Sequence, residues 1–160
     1  MFINVIILLI GFVGMEFIAQ LMHRYVMHGF LWSLHQSHHQ KGRGFFEKND
    51  LYFLIFASPS ILLIILGIKA GFDWRLYLGV GIALYGFTYL FIHDILIHRR
   101  IKILIKYEGS YIKAMRKAHK AHHSAVNKNA AESYGLLWIH KKYFEQKQIP
   151  TKFRGQNVIF

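Results

Sequence analysis

Ten of the chain's eleven histidines fall in four short clusters that repeat two spacings in the same order. His23 and His28 give H-x4-H, and His35, His38 and His39 give H-x2-H-H. After a long apolar interval, His93 and His98 repeat the first spacing, and His119, His122 and His123 repeat the second. Neutral imidazole is the commonest nitrogen ligand of transition metals, so clustering of this density points to metal chemistry. The chain contains no cysteine, which removes disulfides, thiolate sites and cysteine-ligated iron–sulfur clusters. Any metal must be held by nitrogen and oxygen.

The spacings set the geometry. On an α-helix, positions i, i+3 and i+4 share a face, so each H-x2-H-H motif is a three-nitrogen surface on which one ion could sit. H-x4-H behaves differently, because five residues at about 3.6 per turn place the partners roughly 140 degrees apart. Either a π-bulge aligns i with i+5, or the two histidines reach different ions. Ten ligands exceed the needs of one ion and divide naturally between two. Imidazole alone does not choose between zinc and iron, but a dinuclear centre at a membrane face suits redox work on a lipid-soluble substrate better than a closed structural zinc site.

Other polar residues are candidates for supporting these ligands. Glu16 precedes His23 by two helical turns on an otherwise uncharged segment, where a carboxylate is costly and usually functional, either as a partner behind a ligand or as a contact within the bundle. Asp94 adjoins His93, and Asn127 follows His123 by four residues; each could orient an imidazole or serve as a cap or solvated side chain. His140, beside Lys141 and Lys142, reads as an interfacial residue rather than an eleventh ligand.

The elements that must position these residues are helices in a membrane. The 160 residues suffice for one domain, and the composition is 54% hydrophobic yet formally +12, so apolar and charged residues must be separated along the chain. Met1 to Leu21 carries one charged residue, Glu16; Leu51 to Ile68 and Leu76 to Ile92 carry none. Each run approaches the about 17 to 25 residues that cross a hydrocarbon core as a helix. The expected spans are about 1–21, 51–68 and 76–97, the third carrying His93 and His98 beyond the bilayer. A cleaved signal peptide fits the first run poorly, since it lacks a basic start and a small-residue cleavage site. A buried helical pair in a soluble protein fits the others poorly, since Leu51 to Ile68 is apolar all round. Gly79 and Ala83 form a small-x-x-x-small pair suited to close helix contact.

Placing the loop Lys69 to Arg75 outside leaves two Lys/Arg there and the other eighteen in or after the histidine regions. This asymmetry puts both histidine regions on the cytoplasmic side. It also explains the basic charge through anionic lipid headgroups, and no nucleic-acid partner is expected. Gly42 and Gly44 mark a loop, Ile101 to Ile105 with Lys102 and Lys106 reads as a segment at the headgroup surface, and Tyr111 to about Ser124 reads as a helix. The tail 141–160 carries little signal. The expected fold is all-α: an integral membrane helical bundle with about three transmembrane helices and a cytoplasmic-face, histidine-rich helical cap.

The stretches His23-Arg-Tyr-Val-Met-His28-Gly29, His35-Gln-Ser-His38-His39, Phe46-Glu-Lys-Asn-Asp-Leu-Tyr52, His93-Asp-Ile-Leu-Ile-His98, Ala118-His-Lys-Ala-His-His123 and Ala131-Glu-Ser-Tyr-Gly-Leu-Leu-Trp138 together resemble bacterial β-carotene 3-hydroxylases of the membrane fatty-acid hydroxylase superfamily. The resemblance runs from about Met15 to Trp138 and departs after His98, at Arg99-Arg-Ile-Lys-Ile. It implies a non-haem di-iron monooxygenase with two iron ions, O2 as co-substrate and electrons from a ferredoxin-type donor, resident in the bacterial inner membrane. The reaction implied is hydroxylation of C3 of a carotenoid β-ionone ring, β-carotene to β-cryptoxanthin to zeaxanthin. The ten clustered histidines occupy the ligand positions. Trp32, Phe45, Phe46, Tyr52 and Trp138 could line substrate access, or form an aromatic belt at the interface. Two alternatives stand beside this reading: a hydroxylase or desaturase of acyl chains or sterols with the same metal core, and a non-enzymatic membrane metal-binding protein. The second would call for histidines or acids within the spans, where only Glu16 qualifies.

Overall fold

The computed structural model describes residues 1–40, 46–101, 109–124 and 131–145. Phe45, Asn127, both loop glycines Gly42 and Gly44, the surface segment 102–106 and the tail beyond 145 lie outside them. The described residues contain helices and no strand: α1 (Phe2–Leu21), α2 (Trp32–His39), α3 (Leu51–Lys69), α4 (Trp74–Tyr89) and α5 (Ser110–His123). Two π-helical segments continue the membrane helices, π1 (Met22–Phe30) after α1 and π2 (Leu90–Ile97) after α4. Three continuous helices, Phe2–Phe30, Lys48–Lys69 and Trp74–Ile97, are long and apolar enough to cross a membrane. The first helix thus runs on past the expected span of about 1–21 and carries His23 and His28 within it, before the non-helical Gly29.

Helix α4 is the centre of the bundle, with α1 and α3 packed on it. Glycines permit the approach, because without a hydrophobic driving force between lipid-bathed helices close backbone packing must supply the contact. A Cβ on Gly81 would lie 2.2 Å from Leu8 O, and one on Gly11 would lie 2.7 Å from Leu78 O. Against α3, a Cβ on Gly79 would meet Ser60 O at 2.9 Å, and the Ser60 hydroxyl donates to Gly79 O at 2.8 Å. Gly79 thus makes the contact expected of it, while the second close approach on α4 is at Gly81 against α1. Apolar side chains such as Phe2, Phe53, Leu62 and Phe87 point outward, exposed, as lipid-facing residues do.

The hairpin between α3 and α4 closes at Gly71 (φ 80) and Phe72 (φ 64), and Asp73 caps α4 by accepting from the Arg75 amide at 3.0 Å. Beyond the bundle, α5 is fixed by a small apolar core. Leu96 of π2 packs with Ile112 and Met115, joined by Leu137 and Ile139, while Ala114 and Ala118 pack with Tyr143. The segment 131–145 is thereby tied to α5, and α5 to π2.

Candidate metal centre

The H-x4-H spacing is realised through π geometry. In π2 the His98 amide donates to His93 O at 2.8 Å, and at the end of π1 the Leu31 amide donates to Val26 O at 3.0 Å, both i to i+5 bonds. The wider turn brings each pair onto one face, so His23 and His28 meet, and His93 and His98 meet. Of the two options the spacing left open, the bulge is the one adopted.

Nine of the clustered histidines gather into two groups, each with its ligand nitrogens within 4.8 Å of one another. One comprises His23, His28, His35, His39 and His122, and the other His38, His93, His98 and His119. The tenth, His123, lies on the second group: its ring is 4.3 Å from His119, 4.7 Å from His38 and 5.0 Å from His98, and it stacks on His39 of the first group at 4.5 Å. This corrects the expectation of one ion on each H-x2-H-H surface. The i and i+4 members of α2, His35 and His39, join His122 of α5, while the i+3 member, His38, joins His119 of α5. On a helix i and i+4 are nearly in line while i+3 lies to one side, so a motif wedged between two centres feeds both.

The rings are deeply placed: His122 is 0% exposed, His35 1% and His93 3%. Their Nδ1 atoms face acceptors. In the first group His23 Nδ1 donates to Tyr134 O at 3.0 Å, His122 Nδ1 to Glu132 O at 3.0 Å and His35 Nδ1 to Asn49 Oδ1 at 2.7 Å. In the second, His38 Nδ1 faces Glu47 Oε2 at 3.2 Å and His93 Nδ1 faces Asp94 Oδ1 at 2.8 Å. A neutral imidazole has one proton, and these acceptors hold it on Nδ1, leaving Nε2 as a bare lone pair. Yet Nε2 of His23 lies 3.0 Å from Nε2 of His35, and Nε2 of His38 lies 3.2 Å from Nε2 of His93. Two lone pairs at that distance repel unless a cation lies between them. Nε2 of His123 is also buried with no hydrogen-bond partner among the described residues. The donor set therefore fits a pair of bound metal ions.

The imidazoles of His35, His38, His98, His119, His122 and His123 stay neutral near pH 7. Burial, reinforced by neighbouring histidines, depresses His122 and His123 to about 2, and His98 to about 3. Burial also brings His35 down to about 3, against the pull of Asn49, and holds His38 and His119 well below the usual value. Neutral imidazole is the form that ligates.

Of the supporting residues expected, Asp94 does contact His93, while Glu16 hydrogen-bonds no histidine among the described residues. Glu47, Asn49 and the carbonyls of Glu132 and Tyr134 had no role assigned from sequence. Their signal was that they lie in two of the stretches that carry the resemblance, Phe46 to Tyr52 and Ala131 to Trp138, the first a polar run immediately before an apolar span. Arg100, where the chain departs from the resembled pattern, ties this shell together, reaching Asp50 at 2.9 Å, Glu47 at 3.4 Å and Asp94 at 3.9 Å. Burial pushes the Glu47 carboxyl up, and Arg100 opposes this.

The described aromatic residues suggested for substrate access have different surroundings. Trp32 packs on His28 at 5.0 Å and His39 at 5.2 Å, and buried Tyr52 donates its hydroxyl to Leu31 O while its ring lies 6.4 Å from His35. Phe46 is exposed, and Trp138 is exposed beside Phe17 of α1. His140 lies in neither group; it caps the turn Lys141–Tyr143 by accepting from the Lys142 amide at 3.2 Å.

Residues 8–144, which include every clustered histidine, match the family model described as fatty acid hydroxylase. The chain belongs to the fatty acid hydroxylase family. Within it, the chain is similar to a β-carotene hydroxylase of Pantoea ananas, 42% identical over 136 residues, covering 84% of this chain and 77% of that one. A β-carotene hydroxylase of Pseudescherichia vulneris is 37% identical over 142 residues, 88% of this chain and 80% of that one. A chloroplastic β-carotene 3-hydroxylase of Arabidopsis thaliana is 37% identical over 128 residues, 78% of this chain and 41% of that longer protein. No solved structure matches the chain. This fatty acid hydroxylase family member therefore gathers nine of its histidines into two groups that could each hold a metal ion, at the end of a bundle of three helices long and apolar enough to cross a membrane.

Proposed function

We propose that the chain hydroxylates C3 of the β-ionone ring of carotenoids, taking β-carotene to β-cryptoxanthin and then zeaxanthin. The carrying observation is the pair of histidine groups whose Nε2 lone pairs converge at 3.0–3.2 Å, in a chain 42% identical to a β-carotene hydroxylase. His23, His28, His35, His39 and His122 would hold one iron, and His38, His93, His98, His119 and His123 the other. Bound iron supplies the oxidising power that an unactivated C–H bond demands. One oxygen atom of O2 enters the substrate and the other leaves as water, so each turnover consumes two electrons and two protons. A ferredoxin-type donor suits that demand.

The chain's own residues do the rest. The buried imidazoles of His35, His38, His98, His119, His122 and His123 remain neutral at the working pH, and the acceptors facing Nδ1 of His23, His35, His38, His93 and His122 hold those five rings in one tautomer and one orientation. Trp32 and Tyr52, packed on the first group, exclude water from it. The eighteen bases near the histidine regions support a site on the cytoplasmic side of the inner membrane. A membrane-dissolved carotenoid would then present its ring at the bundle's end.

Expression in cells that accumulate β-carotene tests this reading, with pigments separated by chromatography. Zeaxanthin and β-cryptoxanthin are the expected products, with two irons per chain after anaerobic purification. Unchanged carotenoid with altered fatty acids or sterols would move the assignment to another branch of the family. One tightly held zinc would count against redox chemistry altogether.

A further inference from the structure

We infer that Glu16 is a positioning residue for the first metal group, acting through the strap 131–139 and touching no ligand itself. The inference rests on the dinuclear reading above. Glu16 is 5% exposed on a helix that is otherwise uncharged. Its Oε1 accepts from three successive backbone amides, Leu136 at 3.0 Å, Leu137 at 2.9 Å and Trp138 at 3.0 Å, and its Oε2 accepts from the Tyr85 hydroxyl at 2.8 Å. Consecutive amides converging on one oxygen form an anion nest. Every contact offered to the carboxyl is a donor, which is what satisfies a carboxylate away from water.

The strap seats this closely because residue 135 is glycine: a Cβ there would lie 3.0 Å from Glu16 Oε1 and 3.2 Å from Trp138 O. Just upstream, Ser133 sits at φ 61, a left-handed conformation that a side-chain-bearing residue keeps only when its surroundings hold it. The carbonyls on either side of Ser133 are those that receive the Nδ1 protons of His122 and His23. Glu16 therefore pins one end of a strap whose other end sets the tautomer and orientation of two imidazoles in the first group. His38 and His93 of the second group are backed by Glu47 and Asp94, off the strap. An apolar side chain at position 16 would spare the cost of burying a charge, but it could not gather three parallel N–H groups.

The test counts iron(II) bound under argon to detergent-purified protein, with Mössbauer spectra to resolve the two ions. The wild type is expected to bind two and Glu16→Ala one. His23→Ala is expected to bind one, and adding Glu16→Ala to it changes nothing, because both act on the same ion. Glu16→Ala combined with His93→Ala is expected to bind none. Two tightly held irons in Glu16→Ala, or equal weakening of both, overturns the inference. Where Glu16→Ala does not fold, Glu16→Gln decides: it keeps an oxygen acceptor without the charge. About 10- to 100-fold weaker binding at one ion alone is expected, and equal loss at both overturns the inference. A wild type that binds fewer than two irons overturns the dinuclear reading itself, a failure visible before any Glu16 substitution is made.

Discussion

The two histidine groups are built to the same ligand plan and backed by different chemistry. Each takes an H-x4-H pair from a π segment, the i and i+4 members of one H-x2-H-H motif, and the remaining member of the other motif. Behind the first group stand neutral acceptors, the carbonyls of Glu132 and Tyr134 and the amide of Asn49. Behind the second stand the carboxylates of Glu47 and Asp94, bridged by Arg100. A carboxylate raises the basicity of the imidazole it holds more than a neutral carbonyl does. The difference teaches that symmetric ligands need not give equivalent ions, and the expected outcome is firmer metal binding at the second group.

The largest effects should come from the ligands themselves. His35→Ala and His93→Ala are each expected to cut carotenoid turnover at least about 100-fold and to reduce bound iron from two to one, read by product chromatography and metal analysis. Loss of both irons in either variant would show that the groups do not bind independently. Next, Glu47→Gln and Asp94→Asn are expected to weaken metal binding about 10- to 100-fold at the second group and leave the first unchanged, measured by competition with a chelator. Equal weakening of both ions would erase the contrast in backing. Asn49→Ala should weaken the first group by about 10-fold, the low end of that range, because it removes a neutral acceptor.

The smallest effect sharpens the strap. Ser133→Gly relieves a left-handed residue, a gain of about 1–2 kcal/mol. It also frees the unfolded chain, a loss of roughly 0.5–1 kcal/mol. A thermal midpoint within a few degrees of wild type is expected, with both irons retained.

How much of this was legible before the fold can be said residue by residue. Three apolar runs revealed the three membrane helices, since length and absence of charge suffice to recognise a span. The helix over Tyr111 to Ser124 appears as Ser110–His123, and the spacing of H-x4-H reduced its geometry to two choices. Glu47 and Asn49 were invisible as partners, because nothing local ties them to His38 and His35, 9 and 14 residues away. The strap carbonyls were more hidden still, being backbone atoms that any sequence supplies, 111 residues from His23 in one case.

The sequence by itself determined the candidate ligands, the membrane-spanning helices and the order of the parts, because residue chemistry and hydropathy are local properties. Only the tertiary structure decided which histidines share a focus, that each H-x2-H-H motif is divided between two, and that one focus is backed by neutral groups and the other by charge. Those are consequences of helices crossing at close range, where a nitrogen's neighbours come from distant parts of the chain, and no spacing along the chain encodes them.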